Sequence, residues 1–153
     1  MVFTVPAVAS VLLLGLAAGV FHAFSSFVMS GLGRAGDLPA GEAMTGINET
    51  AVRPAFMSVF FGALLVPALT TVVGFVSGDD GAGWLLAATL VYLAGTFGVT
   101  VARNVPLNDR LLAASDKAAA WRDYRGPWTA WNHVRTIAGA VATVLAALGL
   151  VLR

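Results

Sequence analysis

Four long stretches of this 153-residue chain contain no Asp, Glu, Lys or Arg. They cover residues 2–28, 54–78, 81–102 and 136–152. With its flanks, each stretch reaches the roughly 17–25 residues that a helix needs to cross a hydrocarbon core about 30 Å thick. Lipid offers no partners for backbone amides, so such a stretch crosses a bilayer as a helix. The pattern predicts an all-α protein with four transmembrane helices. The predicted spans are residues 4–30, 54–77, 82–102 and 128–152.

The composition fits a chain that consists of membrane-spanning segments and short connections. Of its residues, 58% are hydrophobic and 11% are charged, whereas a soluble domain carries about 25% charged residues. We therefore expect residues 1–153 to form one integral membrane domain, an up-down bundle of four helices whose main partner is the lipid bilayer. The formal charge of +1 and the lack of a basic stripe give no support for nucleic-acid binding. A homo-oligomer is compatible with this sequence.

The segment between the third and fourth spans is predicted to form a short amphipathic helix, at about residues 109–124. Leu111, Leu112 and Trp121 recur there among charged residues. A helix of this kind lies in the interface with its apolar side on the membrane. Asn108 would cap its first turn.

The two long loops are richer in positive charge than the opposite side of the bundle. The loop after the first span contains Arg34 and Arg53, and five more Lys or Arg residues lie between the third and fourth spans. The opposite side has Arg153 and an acidic turn. By the positive-inside rule, the long loops are predicted to be cytoplasmic and both termini to lie outside.

Polar residues gather at the loop-side ends of the spans. The densest group is WTAWNHVRT (128–136), at the start of the fourth span. In the first span, His22 continues a stripe that contains Gly15 and Gly19, and small residues of this kind let helices approach closely. We therefore expect His22 to face the bundle interior and to meet His133 there. Ionisable residues inside a membrane are costly and face the interior or a water-filled cavity, so these groups predict a buried polar site.

Each of these polar residues also has a structural alternative. Asn104 would simply end the third span, because a proline follows two residues later. Arg135 would extend to the lipid headgroups, and His133 would be an interfacial residue with no catalytic or binding role. Trp131 lies where an aromatic-belt residue meets the headgroups. Under these alternatives the polar group caps and anchors helices and forms no site.

Four segments resemble the signature of a known family. They are FHAFSSFVMSGLG (21–33), AMTGINE (43–49), RNVPLND (103–109) and WTAWNHVRT (128–136). Through them the chain resembles the DUF1772, or anthrone oxygenase-like, family of small four-span membrane proteins. The resemblance implies the same four-helix bundle. From the family's characterised fungal members it also implies oxidation of anthrones to anthraquinones by molecular oxygen, without a recognised cofactor.

The polar residues supply the groups that such a reaction needs. An anthrone gives up an acidic C–H proton to a base, and histidine is the side chain whose pKa suits this role at neutral pH. His22 or His133 would be the base, and Arg135 with Asn104 would donate hydrogen bonds to the developing oxyanion. The expected ligands are a flat aromatic molecule, anthrone-like or quinol-like, and O₂. The residues expected to bind the aromatic molecule are Asn132, Asn108, Asn48, Ser26, Trp128, Trp131, Phe24 and Tyr92.

Two other functions are open from the sequence. His22 and His133 would suffice as axial ligands of haem iron, or as two of three copper ligands. Otherwise no cofactor and no metal is expected, and the absence of cysteine excludes a thiolate-ligated metal. The remaining function is that of a non-enzymatic membrane protein that binds a small molecule or assists another protein.

Overall fold

The computed structural model describes residues 2–153, which form five helices. Four of these helices are long and apolar enough to cross a membrane, which confirms the predicted all-α fold with four spans. The fifth, in the first long loop, is shorter and was not predicted. The helices are α1 (Thr4–Arg34), α2 (Asp37–Ala51), α3 (Pro54–Ser77), α4 (Ala82–Ala113) and α5 (Lys117–Val151).

The four spanning helices pack as an up-down bundle in which chain neighbours are also neighbours in space. Helix α1 packs along α3 and α5, and α4 packs along the same two helices. The centre contains many alanines, which let helix backbones approach where lipid supplies no competing driving force. Leucines and valines such as Leu12, Leu69 and Val144 remain exposed on the outside of the bundle. The fully buried alanines of the four spanning helices are Ala7, Ala17, Ala63, Ala88, Ala142 and Ala146.

Helix α1 presents a different face to the bundle from the one predicted. Its buried face includes Leu14, Ala17 and Phe21. This leaves His22 exposed, and no atom lies within 4 Å of the position that a Cβ would take at Gly19. The prediction that His22 faces the interior is therefore wrong. Helical periodicity fixes the angles between residues of one helix, but it does not decide which side meets the neighbours.

Two spanning helices contain π-helical turns in the half of the bundle next to the long loops. One lies at Phe24–Val28 in α1, and two lie at Tyr92–Gly98 and Thr100–Asn104 in α4. A π-turn adds a residue to a helical turn, which rotates the following side chains and shifts backbone hydrogen bonds. Such turns are rare and are frequent at functional sites.

The segment predicted as an amphipathic helix at 109–124 is helical, but it is divided between two spans. Residues 109–113 end α4, and α5 begins at Lys117 after a short break. The Asp116 carboxylate accepts a hydrogen bond from the backbone amide of Ala119 at 3.0 Å and so caps α5. The ammonium of Lys117 donates to the carbonyls of Leu111 and Leu112, at 2.8 Å each, at the end of α4. These caps explain why the segment is a helix–helix turn.

Helix α2 covers the loop-side end of the bundle. It follows Gly36, whose φ of 96° is a left-handed conformation that favours glycine. Ala40 and Met44 are buried against aromatic residues of α5. The closest approach is at Gly41, where a Cβ would lie 2.6 Å from the carbonyl oxygen of Lys117. Helix α2 can therefore dock on α5 only with glycine at this position.

We expect Gly41→Ala to weaken the docking of α2, because its methyl group must displace the backbone of α5. Overpacking of this kind costs about 1–3 kcal/mol of unfolding free energy, and thermal unfolding in detergent should show a lower midpoint. The matched control is Gly46→Ala on the same helix, where no atom lies within 4 Å of the added Cβ. Equal midpoints for the two variants would contradict the close contact.

Candidate functional site

Arg135 is a buried cation in a membrane-spanning helix. It is 4% exposed. The ion pairs among residues 2–153 are Arg122 with Asp37 and Arg153 with Asp79, so within this range no carboxylate pairs with Arg135. An unpaired charge away from water is costly unless other groups compensate for the lost hydration. The alternative that Arg135 extends to the headgroups does not fit this burial.

The guanidinium of Arg135 is held by two hydrogen bonds and two aromatic rings. It donates to the hydroxyl oxygen of Thr100 at 3.2 Å and to the amide oxygen of Asn132 at 2.7 Å. Its Cζ lies 4.4 Å from the ring centroid of Phe21 and 5.0 Å from that of Trp128. These are cation–π distances. The Nε atom is buried without a hydrogen-bond partner. The cation is thus fixed in place, and its Nε atom has no partner.

Asn132 connects Arg135 to α1. Its Nδ2 donates to the carbonyl of Phe21 at 2.8 Å and to Oγ of Ser25 at 2.7 Å, while its Oδ1 accepts from Arg135. The Phe21 carbonyl lies just before the π-turn at Phe24–Val28, where the helical hydrogen-bond pattern shifts. Both polar side-chain atoms of Asn132 are therefore used, in three hydrogen bonds, and Asn132 acts as a positioning residue.

A cavity of about 160 Å³ lies beside Arg135. A single water needs roughly 10–15 Å³ of such space, so the cavity has room for a small molecule. All five helices contribute to its walls. The lining residues are Val20, Phe21, Phe24, Met44, Ile47, Asn48, Ala51, Val52, Phe56, Met57, Thr100, Val105, Asn108, Trp128 and Arg135.

Two side chains that line the cavity each contain a buried donor atom without a hydrogen-bond partner. Asn48, on α2, has a buried Nδ2 without a hydrogen-bond partner, and Nε of Arg135 is in the same state. By contrast, Oδ1 of Asn108 already accepts from Tyr124 Oη and Trp128 Nε1, at 2.9 Å each. Buried donors without partners are rare in proteins and call for an explanation. A ligand with an acceptor oxygen, above all a negatively charged one, would suit the part of the wall formed by Arg135 and Asn48.

The rest of the cavity wall is apolar and rich in aromatic rings. Phe24 and Trp128 lie with their ring centroids 5.5 Å apart, and Phe21 meets Phe56 edge-on at 6.1 Å. Aromatic rings prefer offset or edge-to-face contacts with other rings. A flat aromatic ligand with one oxygen directed at Arg135 therefore matches the chemistry of the wall.

The structure brings five of the predicted site residues together at the cavity. They are Arg135, Asn108, Asn48, Trp128 and Phe24.

Three further predicted residues lie behind the cavity wall. Asn132 positions Arg135 as described. Asn104 is buried and donates from Nδ2 to the carbonyl of Trp128 at 3.3 Å, so it supports the wall and does not line it. Tyr92 lies in the apolar core, where its hydroxyl donates to the carbonyl of Phe60 at 3.1 Å.

The two histidines and Ser26 lie outside the bundle. His22 and His133 line a shallow outer groove of about 300 Å³ between α1 and α5, and Ser26 lies beside them. Within residues 2–153 there is no group of three or more His, Cys, Asp or Glu side chains that could hold a metal ion. The expectation that the imidazoles meet inside the bundle is wrong. Both are exposed and line the same outer groove.

Trp131 lies on another part of the surface. It is half-buried, and the Arg103 guanidinium lies 4.9 Å from its ring centroid. This arrangement fits the alternative of an aromatic-belt residue at the headgroups. Trp131 does not line the cavity.

Of the cavity residues on α2, Asn48 was predicted from the sequence, whereas Met44, Ile47 and Ala51 were not, and neither was the role of Thr100. Helix α2 has a signal in the sequence, because Ala40, Met44, Ile47 and Ala51 are spaced by four, three and four residues. That spacing is typical of an amphipathic helix. The high charge of the loop around it hid the pattern.

Replacement of Asn132 by leucine should destabilise the protein. The variant keeps the branched shape of the side chain but removes the hydrogen bonds of Asn132 to the Phe21 carbonyl, to Ser25 and to the Arg135 guanidinium, and leaves Thr100 as the hydrogen-bond partner of Arg135. A buried polar group left unsatisfied costs about 1–3 kcal/mol, which thermal unfolding in detergent can measure. The matched control is His133→Leu, one residue along the same helix and exposed. A control as unstable as Asn132→Leu would contradict the assignment of Asn132 as the connection to α1.

Comparison with known proteins places the site in a family. A family model described as anthrone oxygenase matches residues 56–145, a stretch that includes Thr100, Asn108, Trp128 and Arg135. No curated protein and no solved structure matches the chain. The match extends over more than half of the 153 residues, and the chain belongs to the anthrone oxygenase family.

Proposed function

We propose that this membrane protein oxidises a flat phenolic aromatic, an anthrone or a quinol-like molecule, with O₂ in the cavity beside Arg135. The observation that carries the proposal is the buried guanidinium of Arg135. It has no carboxylate partner in residues 2–153, and it lines an aromatic cavity together with Asn48; both side chains contain a buried donor atom without a hydrogen-bond partner. Membership of the anthrone oxygenase family supports the same reaction class.

The first step is stabilisation of the substrate anion. The enol tautomer of an anthrone is a phenol, and its deprotonated form carries negative charge on oxygen and on the ring carbon opposite. Arg135 Nε and Asn48 Nδ2 would donate to that oxygen. Hydrogen bonds to a charged acceptor are about twice as strong as neutral ones, and preorganised donors in a water-poor site are more effective still. The cavity thereby favours the form that reacts with oxygen.

The second step consumes O₂ without an external reductant. The electron-rich carbon forms a bond to one oxygen atom of O₂, and a proton, equivalent to the one that the phenol released to water, returns from water to the peroxide and gives a hydroperoxide. The hydroperoxide then loses water: the O–O bond breaks, the remaining C–H bond of the same carbon breaks, and this carbon becomes a carbonyl. One anthrone and one O₂ give one anthraquinone and one water, so atoms and electrons balance with all electrons coming from the substrate.

The cavity geometry favours the anion-stabilising role of Arg135 over a histidine base. Among the described residues that line the cavity, Arg135 is the one ionisable side chain. Both histidines lie in the outer groove. A histidine base, and haem or copper held by His22 and His133, stay predictions of the sequence that the same assay tests.

We expect Arg135→Lys to lose most of the activity. Lysine keeps the charge but lacks the planar set of donors that contacts Thr100, Asn132 and the ligand together. Loss of one oxyanion donor lowers the turnover rate by about 10²–10³-fold. The measurement is oxygen uptake by protein in liposomes with anthrone as the substrate, alongside thermal unfolding to confirm the fold. Arg103→Lys, at the surface beside Trp131, is the matched control.

The double variant His22→Gln, His133→Gln separates the two mechanisms in the same assay. If Arg135 carries the reaction, this variant should keep activity within a few-fold of wild type. Near-complete loss in the histidine variant, with Arg135→Lys fully active, would overturn the proposed mechanism in favour of a histidine base. An absorption band of bound haem that disappears in the histidine variant would support a haem protein.

We also propose that the long loops are cytoplasmic and both termini lie outside, from the Lys and Arg bias between the two sides. The chain has no cysteine, so a single introduced cysteine reports sidedness without background. Ser115→Cys, in the turn between α4 and α5, should react with an impermeant maleimide only after the cells are opened. Asp80→Cys, in the turn between α3 and α4, should react in intact cells. The reverse pattern would invert the orientation.

A further inference from the structure

Three valines that line the cavity are also exposed at the outer surface of the bundle. They are Val20 at 38% exposure, Val52 at 70% and Val105 at 40%. A side chain that both lines a cavity and is exposed marks an opening, and these three come from α1, the segment after α2, and α4. We call them the valine mouth. Valine side chains cannot form hydrogen bonds with water, so an opening lined by them is suited to apolar surroundings.

The valine mouth lies at the level where hydrocarbon gives way to headgroups. We take the helix ends on the side of the chain termini as one edge of the hydrocarbon core and count 1.5 Å per helical residue. On this scale Val20 lies about 24 Å from Thr4, and Val105 lies about 35 Å from Ala82. The hydrocarbon core is about 30 Å thick. Arg135 is about 24 Å from Val151 on the same scale. The mouth therefore spans the loop-side boundary, and Arg135 lies on its hydrocarbon side.

We propose that the cavity takes its ligand sideways from the bilayer through the valine mouth, and that this ligand is an amphiphilic phenolic aromatic dissolved in the membrane. The inference rests on the proposed function, because it concerns the substrate of that same cavity. Flat aromatic molecules with a polar edge concentrate at the boundary where tyrosine and tryptophan side chains also collect. The mouth is placed where such a molecule is most abundant.

The relative positions of Arg135 and the mouth set the orientation of the ligand. The oxygen must reach Arg135 and Asn48, so the oxygen edge goes in first and the opposite ring edge stays at the valines. An alkyl group on that far edge would extend into lipid and be accepted. A charged group there would be held in an apolar opening, which is unfavourable because charge loses hydration.

The access route is tested by the rate of binding. Val52→Cys provides the single thiol of the chain, and alkylation with a bulky pyrene maleimide would fill the mouth. The probe is 1-hydroxyanthraquinone. It has the phenolic oxygen of the proposed substrate, and because it is already a quinone the proposed reaction does not consume it. Its association with protein in liposomes is followed by quenching of tryptophan fluorescence. Alkylation should slow association several-fold.

The matched control is Val76→Cys, alkylated with the same pyrene reagent. Val76 is 84% exposed on α3 at the other end of the bundle and does not line the cavity. Its modification should not change the association rate. If alkylated Val52→Cys binds the probe as fast as the unmodified protein, the valine mouth is not the route, and the proposed function stands as long as Arg135→Lys loses binding. If the wild-type protein does not bind the probe, both proposals fall.

The ligand class is tested by two derivatives of the same probe. One carries a hexyl group on the ring edge far from the hydroxyl, and the other carries a sulfonate there. The hexyl derivative should bind at least as tightly as the parent at equal concentration in the bilayer, and the sulfonate derivative much more weakly. Equal binding of both would overturn the membrane-dissolved substrate class, while loss of both in Arg135→Lys would still support the cavity as the site.

Discussion

The buried guanidinium of Arg135 is the interaction on which the loop-side half of this bundle depends. A cation at hydrocarbon depth costs several kcal/mol unless its surroundings replace water. Here Asn132, Thr100 and two aromatic rings do so in part, without a carboxylate from the described part of the chain. The arrangement fixes the cation firmly but leaves its charge unbalanced. An anionic ligand in the adjoining cavity would neutralise this charge.

Close helix packing makes this arrangement possible. A Cβ at Gly139 would lie 3.1 Å from the Cβ of Ala18, and Gly95 packs directly on Ala138. Helix α5 is thereby held near α1 and α4, close enough for Arg135 to reach Phe21 on one and Thr100 on the other. The π-turns of α4 lie in the same region, where Thr96 donates to the Arg135 carbonyl at 3.2 Å. Backbone and side chain of Arg135 are thus both bound to α4.

Helix α2 turns an open bundle end into a cavity. It brings Met44 and Asn48 over the space between the spans, and Gly41 permits its contact with the first turn of α5. Asn48 contributes a second buried donor without a partner, so α2 both covers the cavity and adds a polar side chain to its wall. The two cores of the protein, one apolar in the membrane and one of aromatic residues and methionine beneath α2, meet at Arg135 and Trp128.

The sequence by itself determined the four spans, because long charge-free stretches have one stable conformation in lipid. It also identified Arg135 as a candidate, since an ionisable group inside an apolar segment is costly without partners or a function, and it offered Asn108, Asn48, Trp128 and Phe24 within the segments that resemble the family. Only the tertiary structure decided which of the candidates share a cavity. The rotation of each helix depends on its neighbours and on the π-turns, which shift the helical phase, so the structure placed His22 outside and Arg135 inside. Helix α2 gains its stability from docking on α5, a contact that no local pattern contains.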